Sequence, residues 1–153
     1  MLIEVKVKVA RVIDSKTRKR TETFLLEKEL FSQAEYVVMT ELSQEMEAGT
    51  VESFEIQSLR ISPIKEVAEQ FRSDSAINTY IATLKDIWLT DDGTEKQLKY
   101  KVLLWAEDLT AANNNTHRLA REGYDMQIEG IKQVDYEYLT EQSNQEEVDN
   151  DNN

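Results

Sequence analysis

Cysteine is absent from the 153-residue chain, which also has only one proline and four glycines. Without cysteine, the chain can form neither a disulfide framework nor a thiolate metal site. Four glycines leave little room for a loop that cradles phosphates, and the fingerprints GxGxxG and GxxxxGK do not occur. The sequence therefore excludes cysteine-based chemistry and the common nucleotide-binding loops.

Long apolar runs are also missing. The first ten residues, MLIEVKVKVA, alternate apolar and polar side chains, which is typical of a half-buried strand and unlike the apolar core of a signal peptide. No stretch approaches the roughly 20 apolar residues that a membrane-spanning helix requires. We therefore expect a cytoplasmic protein that does not associate with membranes.

Residues that carry out catalysis or bind metal ions are scarce. The single histidine, His117, lies in an asparagine-rich segment, and no serine or cysteine motif accompanies it. Asp91 and Asp92 precede Gly93, but the alternating acidic ligands and closing glutamate of a calcium loop are missing. We expect a protein that is not an enzyme and that binds neither a cofactor nor a metal ion.

Acidic residues outnumber basic ones, and the net charge is −12. The first thirty residues are the exception, because they carry eight basic and five acidic side chains. Like charges repel over a Debye length of about 8 Å, so the acidic majority of the chain opposes non-specific binding to nucleic acids and anionic membranes. A local basic patch can still bind anions, and the sequence places such a patch near its start.

Two segments resemble each other at an offset of 78 residues. FLLEKELFSQAE at 24–35 and VLLWAEDLTAAN at 102–113 both contain a leucine pair, a charged stretch, a hydroxyl residue and a small helix former. Period-2 alternation in the flanking residues predicts strands, and helical spacing follows each hydroxyl residue. Each half therefore has the predicted order strand, strand, helix, strand, with the last strand of the second half at 124–139.

This repetition predicts an α+β fold built from two tandem duplicated units, at residues 1–63 and 79–139. The halves are expected to be related by a pseudo-twofold and to share one joint core, because neither sheet can cover its apolar face alone. The predicted helix N-caps and helix ends are Ser32, Thr110, Gly49 and Gly123.

Two further segments complete the organisation. Residues 64–78 connect the halves and are predicted to contain a short amphipathic helix that either packs on the core or binds a partner protein. Its apolar residues, at spacing i, i+3, i+4, i+7, are Ile64, Val67, Ala68 and Phe71. Residues 140–153 carry five acidic and no basic side chains, and are predicted to be a disordered acidic tail.

Basic side chains on the predicted strands form the candidate binding surface. Lys6 and Lys8 share the face of the first strand opposite the valines, and Lys99, Lys101 and Trp105 share one face of the matching strand of the second half. The DSKTRKR turn is expected to present further bases at a hairpin tip. The candidate nucleic-acid-binding residues are Lys6, Lys8, Lys16, Arg18, Lys19, Arg20, Lys99, Lys101 and Trp105. Proteins that bind single-stranded nucleic acid on a β-sheet use basic side chains to attract phosphates, and aromatic rings to stack on nucleobases. The alternative is a solvated face whose lysines protect edge strands from aggregation.

The pattern of hairpin, hydroxyl-capped helix and strand is carried by RTETFLLEKELFSQAE, FEIQSLRIS and YIATLKDIWLTDDGTEKQLKYKVLLWAEDL. In these segments the chain resembles an uncharacterised domain family of Bacteroidetes bacteria and their phages or mobile elements. The resemblance extends over most of residues 1–138. It implies a small, non-enzymatic accessory protein, located in the host cytoplasm if it is phage-encoded.

Two functions are consistent with these observations. One is binding of single-stranded nucleic acid in phage or mobile-element DNA metabolism, through the lysine-bearing strands and the basic hairpin. The other is a protein-protein interaction module that engages a host or virion protein through its acidic surface. The sequence does not determine the oligomeric state.

Overall fold

The computed structural model describes residues 1–122 and 126–140. These residues form a mixed α+β structure, as the sequence predicts, with eight strands in two sheets and two α-helices. In chain order the elements are β1 (Leu2–Ile13), β2 (Lys16–Glu27), α1 (Phe31–Glu47), β3 (Val51–Ile61), β4 (Ile64–Ala68), β5 (Asn78–Leu89), β6 (Glu95–Ala106), α2 (Leu109–Glu122), β7 (Gln127–Val134) and β8 (Tyr136–Leu139). The predicted tail at 140–153 lies, after its first residue, outside the described residues.

The chain divides into two compact units. Unit 1 contains Met1–Ser62 and the segment that begins at Tyr136, and unit 2 contains Pro63–Asp135. The sheet of unit 1 has the strand order β3-β1-β2-β8, and the sheet of unit 2 has the order β4-β6-β5-β7. In unit 1 β8 runs parallel to β2, and in unit 2 β4 runs parallel to β6, whereas the central pairs of both sheets are antiparallel.

The core of unit 1 lies between its sheet and α1. Apolar side chains alternate along β1, so that Val5, Val7 and Val9 lie on one face, where all three are fully buried. The residues of α1 that pack on this face, at four-residue spacing, are Ala34, Val38 and Leu42. Burial of each valine or leucine contributes about 1.5–3 kcal/mol. The period-2 pattern therefore decides which face of the sheet carries the helix.

The β1–β2 hairpin turns at Asp14 and Ser15, which have positive φ values of 51° and 64°. A two-residue loop of this kind matches the right-handed twist of the flanking strands, so pairing continues up to Ile13 and Lys16. The sequence predicts a longer polar turn through Arg20. The structure corrects this expectation, since residues 16–20 belong to the regular strand β2.

The core of unit 2 has the same construction. Tyr80, Ala82 and Leu84 of β5 and Val102 and Leu104 of β6 are buried, and Ala112 of α2 is among the residues packed with them. Gly93 lies in the β5–β6 turn with φ +82°. Each of these buried clusters consists of residues of one unit. One core shared by the two units stays a prediction.

Each helix begins one residue before its predicted N-cap: α1 at Phe31 and α2 at Leu109. Leu30 precedes α1, and its amide donates to Gln33 Oε1 at 3.2 Å, whereas Ser32 lies inside the first turn. Asp108 precedes α2, and its Oδ1 accepts a hydrogen bond from the amide of Ala111 at 2.8 Å. Thr110 is therefore not the cap, because the carboxylate of Asp108 already occupies that role. Gly49 follows α1 with φ +82°, as predicted; Gly123 lies outside the described residues.

The connector also differs from its prediction. Ile64–Ala68 forms strand β4, which pairs with β6, and only Glu69–Phe71 is helical, as a single 3-10 turn. Five residues are too few for local periodicity to distinguish a helix from a strand. The unpaired backbone of β6 decides between them, because pairing with it satisfies the amides and carbonyls of β4.

The last predicted strand, 124–139, is divided in the structure. β7 pairs with β5 in unit 2, the chain leaves the ladder at Asp135, and β8 pairs with β2 in unit 1. The sheet of unit 1 therefore ends on a strand from the second half of the sequence. The sheet of unit 2 likewise contains β4, which directly follows the first predicted half.

Candidate nucleic-acid interface

Three lysines lie together on the sheet face of unit 1 that is turned away from α1. Lys6 and Lys8 alternate with the buried valines of β1 and therefore share this face, and Ala10, also on this face, is paired with Lys19 of β2. Lys8 is paired with Thr21, two residues from Lys19, so the two lysines are diagonal neighbours about 7–8 Å apart at their backbones. We call Lys6, Lys8 and Lys19 the lysine face.

Hydroxyl groups surround the lysine face. Thr21 and Thr23 lie opposite Lys8 and Lys6 on β2, and Ser58 lies opposite Lys6 on β3. A cavity of about 300 Å³ opens beside these strands, lined by Lys8, Ala10, Lys19, Ser53, Phe54 and Glu55. The face thus combines ammonium groups with small hydrogen-bonding side chains, which are the groups that bind phosphate oxygens.

The lysine face is free of ion pairs within the described part of the chain. No carboxylate oxygen of those residues lies within 4.0 Å of the ammonium of Lys6, Lys8 or Lys19. Glu55 is the cross-strand neighbour of Lys8, but it makes no ion pair with it. In a chain with 30 acidic residues, three adjacent ammonium groups without an acidic partner form a local positive surface.

The remaining bases of the first hairpin do not join this face. Because side chains alternate along β2, Lys16, Arg18 and Arg20 lie on the opposite face, where Arg18 is paired with Arg11 and Arg20 with Val9. Arg20 Nε also donates to Glu22 Oε2 at 2.8 Å. The expectation of a single basic finger is therefore corrected: the four bases divide between two faces, and Arg20 belongs to an ion-pair network.

That network lies at the end of the unit 1 core. Arg11 donates to Glu22 through Nε and through Nη2, the latter at 2.6 Å, and to Glu45 of α1 at 3.3 and 3.4 Å. Burial raises the pKa of Glu22, but the hydrogen bonds from Arg11 and Arg20 outweigh burial and hold the pKa below its ordinary value. Glu137 of β8, although exposed as a whole residue, has a raised pKa, because its carboxyl loses water and faces the charge of Glu45. The ion pairs of Arg11 and Arg20 with Glu22, and of Arg11 with Glu45, stabilise the unit, so these groups are not available to a ligand.

The equivalent lysines of unit 2 are in a different environment. Lys99 and Lys101 lie on the sheet face turned away from α2, as the sequence predicts from their parity. Glu129 lies on this face as well, with Oε1 at 3.2 Å from Lys99 Nζ and 3.9 Å from Lys85 Nζ. Glu129 occupies an irregularity in the β5–β7 ladder, 30 residues beyond Lys99 in the chain, and no sequence signal links the two.

Trp105 is not an exposed stacking platform. Trp105 is only 3% exposed, and the guanidinium carbon of Arg72 lies over its indole, 5.1 Å from the ring centroid. A buried ring cannot stack on a nucleobase, so its expected role is corrected. The exposed tryptophan is Trp88, at 44% exposure. It is not among the residues that the sequence predicts to bind nucleic acid.

Residues 1–122 and 126–140 contain neither a metal-binding cluster nor a membrane-spanning helix. No group of three or more histidine, aspartate or glutamate side chains in this part of the chain is arranged to hold a metal ion. No helix there is both long and apolar enough to cross a membrane.

A family model described as a domain of unknown function, DUF4494, matches residues 1–147. The chain belongs to this family. The match extends across both units. It confirms the predicted resemblance to an uncharacterised domain family. No curated protein and no solved structure matches the chain.

Proposed function

We propose that this protein is a non-enzymatic accessory protein that binds single-stranded nucleic acid through the lysine face of unit 1. The observation that carries the proposal is the set of three neighbouring lysines, free of ion pairs with described residues, on a sheet face lined with threonine and serine. Lysines bind phosphates as point charges and release condensed counterions, which drives binding without regard to sequence. Nearby hydroxyls then position the phosphates.

The burial of the candidate stacking residue predicts the character of this binding. Trp105 is 3% exposed and cannot offer its ring to a nucleobase. Stacking contributes about 1–3 kcal/mol per base in proteins that use it. We therefore expect weak, sequence-independent binding to the phosphate backbone, strongly dependent on salt.

Fluorescence anisotropy with a labelled single-stranded DNA oligonucleotide of mixed sequence tests the proposal. Binding to one strand weakens by roughly 0.7 logarithmic units per tenfold rise in salt for each phosphate neutralised, so three lysines predict a slope of about 2. Replacing Lys6, Lys8 and Lys19 with glutamine should abolish most of this slope. The matched control replaces three exposed lysines of unit 2, Lys65, Lys96 and Lys132, and changes the net charge equally.

The two triple variants separate a specific site from general charge. Loss of binding in the first variant and retention in the second supports the proposal. Equal loss in both means that only net charge matters, and the lysine face is then not a site. If the full chain and a chain ending at Leu139 both fail to bind at low salt, nucleic-acid binding is rejected.

A protein-protein interaction module is the second candidate function. What favours it is α1, which contains no basic residue and three glutamates besides Glu45, the one that pairs with Arg11, together with exposed Tyr36, Met39 and Met46. Methionine side chains adapt to irregular partner surfaces, and an acidic helix favours a basic partner. The proposed partner is a host or virion protein. Absence of oligonucleotide binding at low salt would favour this second function.

We also infer that the chain arose by internal duplication. The two sheets share one strand order and one pattern of directions, with the helix following the second strand of each central hairpin. This agreement supports a tandem repeat, in which the connector adds β4 to the sheet of unit 2 and the end of the second half adds β8 to the sheet of unit 1. We also propose a setting in phage or mobile-element DNA metabolism, which the family resemblance implies, and a cytoplasmic location, which follows from the lack of long apolar runs in the sequence.

A further inference from the structure

The end of the β5–β6 hairpin in unit 2 exposes a group of large apolar side chains. Trp88, Leu89 and Leu98 are 44%, 72% and 56% exposed. Trp88 is paired with Lys96 and Asp86 with Leu98, so Trp88 and Leu98 are diagonal neighbours on one face of the hairpin, whereas Leu89 lies on the other face. Neighbouring apolar side chains of this size at a surface, such as Trp88 and Leu98, are typical of an interaction site.

Acidic residues surround this apolar group. Residues 87–98 contain Asp91, Asp92 and Glu95 and a single base, Lys96. Hydrogen bonds from Thr90 and from the backbone of Thr94 hold the pKa of Asp92 at about 2, so its charge persists through the neutral range. We call residues 87–98 the apolar-acidic end.

The corresponding end of the β1–β2 hairpin in unit 1 has the opposite charge. Val12 and Ile13 are exposed apolar residues just before the turn. Residues 12–19 also contain Lys16, Arg18 and Lys19, all exposed, and a single acid, Asp14. No described carboxylate forms an ion pair with these three bases. We call residues 12–19 the basic end.

We propose that the apolar-acidic end of one molecule binds the basic end of a second copy of this chain. Each end combines exposed apolar side chains with charge, and the charges of the two ends are complementary. Apolar contact supplies the free energy of association, while the charges select the partner and orient it. Lys19 belongs to both the basic end and the lysine face, but Lys16 and Arg18 lie on the opposite face from Lys6 and Lys8, so replacing them tests this contact separately from nucleic-acid binding.

Such a contact is heterologous, because it joins two different surfaces. Each molecule in a dimer then retains one unused end, so association continues into longer assemblies unless a ring closes. Two hairpin ends form a small interface, and small interfaces give weak, concentration-dependent association. The charged part should also weaken in salt, because the Debye length falls from about 10 Å at 0.1 M to about 3 Å at 1 M.

Sedimentation of the full chain over a range of concentrations tests the proposal. The average mass should rise with concentration and fall with salt. Trp88→Ser with Leu98→Ser should weaken association about tenfold or more, as loss of a central apolar anchor does. Lys16→Glu with Arg18→Glu should weaken it as well, although these residues lie in the other unit.

Mixing the two double variants distinguishes this contact from a symmetric one. Each variant keeps one intact end, so an equimolar mixture should recover a one-to-one heterodimer, and no larger species. Adding Asp91→Lys and Glu95→Lys to the Lys16→Glu, Arg18→Glu chain exchanges the charges and should restore self-association. Circular dichroism of each variant checks that it is folded.

Three results would overturn the proposal. The full chain could stay monomeric at every concentration and at low salt. The basic-end variant could associate as well as the original chain, which would indicate a symmetric contact between apolar ends. Finally, the mixture of the two folded variants could remain monomeric, which would show that the two ends do not bind each other.

Discussion

Replacing Arg11 with methionine should destabilise unit 1, because it leaves the carboxylate of Glu22 inside the protein with fewer partners. Removing one member of a buried ion pair costs roughly 3–5 kcal/mol. Here the side chains of Arg11 and Glu22 retain 15% and 10% exposure, and Arg20 still contacts Glu22 at 2.8 Å. We therefore expect a loss of about 2 kcal/mol at pH 7, which corresponds to a melting temperature lower by roughly 4–8 °C.

The loss should depend on pH in a direction that the pKa shift fixes. The pKa of Glu22 is lowered in the folded protein, so its ion pairs contribute fully to stability above the ordinary carboxyl pKa of about 4.5, and this contribution is lost as pH falls from there through the lowered pKa. Without Arg11 the pKa of Glu22 should rise, and protonation then relieves the buried charge. The difference in free energy of unfolding between the two chains should therefore be largest at neutral pH and shrink in acid.

Thermal unfolding followed by circular dichroism, at pH 7 and in acid, measures both effects. Arg18→Met is the matched control: Arg18 is the cross-strand neighbour of Arg11 and has no ion pair with a described residue, so its loss should stay within about 0.5 kcal/mol. Arg11→Met combined with Glu22→Leu should recover part of the stability. The reasoning fails if Arg11→Met and Arg18→Met behave alike, or if the double variant is no more stable than Arg11→Met.

Three smaller predictions concern α2, the β5–β6 turn and Trp105. Asp108→Ala should cost about 1 kcal/mol in stability and Thr110→Ala less, because Asp108 caps the helix; the reverse order in urea titrations would contradict the cap. Gly93→Ala should cost about 1–2 kcal/mol from its φ of +82° alone, since an added Cβ meets nothing within 4 Å. Gly130→Ala, equally open but without a positive φ, is its control in the same melts. Trp105→Phe should leave oligonucleotide affinity unchanged, because the indole is buried; a clear loss in the anisotropy titration would show that the ring contacts the ligand.

The alternation of side chains along a strand predicts part of the candidate site. Alternation with the valines of β1 places Lys6 and Lys8 on the face away from α1 without any knowledge of the tertiary structure. The same rule would have separated Lys19 from Arg18 and Arg20, but only once the turn is fixed at Asp14 and Ser15. A turn assumed to be longer treats all these bases as one group, because a loop has no alternation.

The sequence by itself determined the α+β class, the two central hairpins, the helix exit at Gly49 and the faces of β1 and β6. These features depend on local periodicity and on backbone preferences, which neighbouring residues set. Only the tertiary structure decided that β4 is a strand and that β8 separates from β7 to pair with β2, since a short segment takes the form that an unpaired strand edge offers it. The burial of Trp105 under Arg72 and the pairing of Lys99 with Glu129 were likewise decided by residues distant in the chain, which folding brings together.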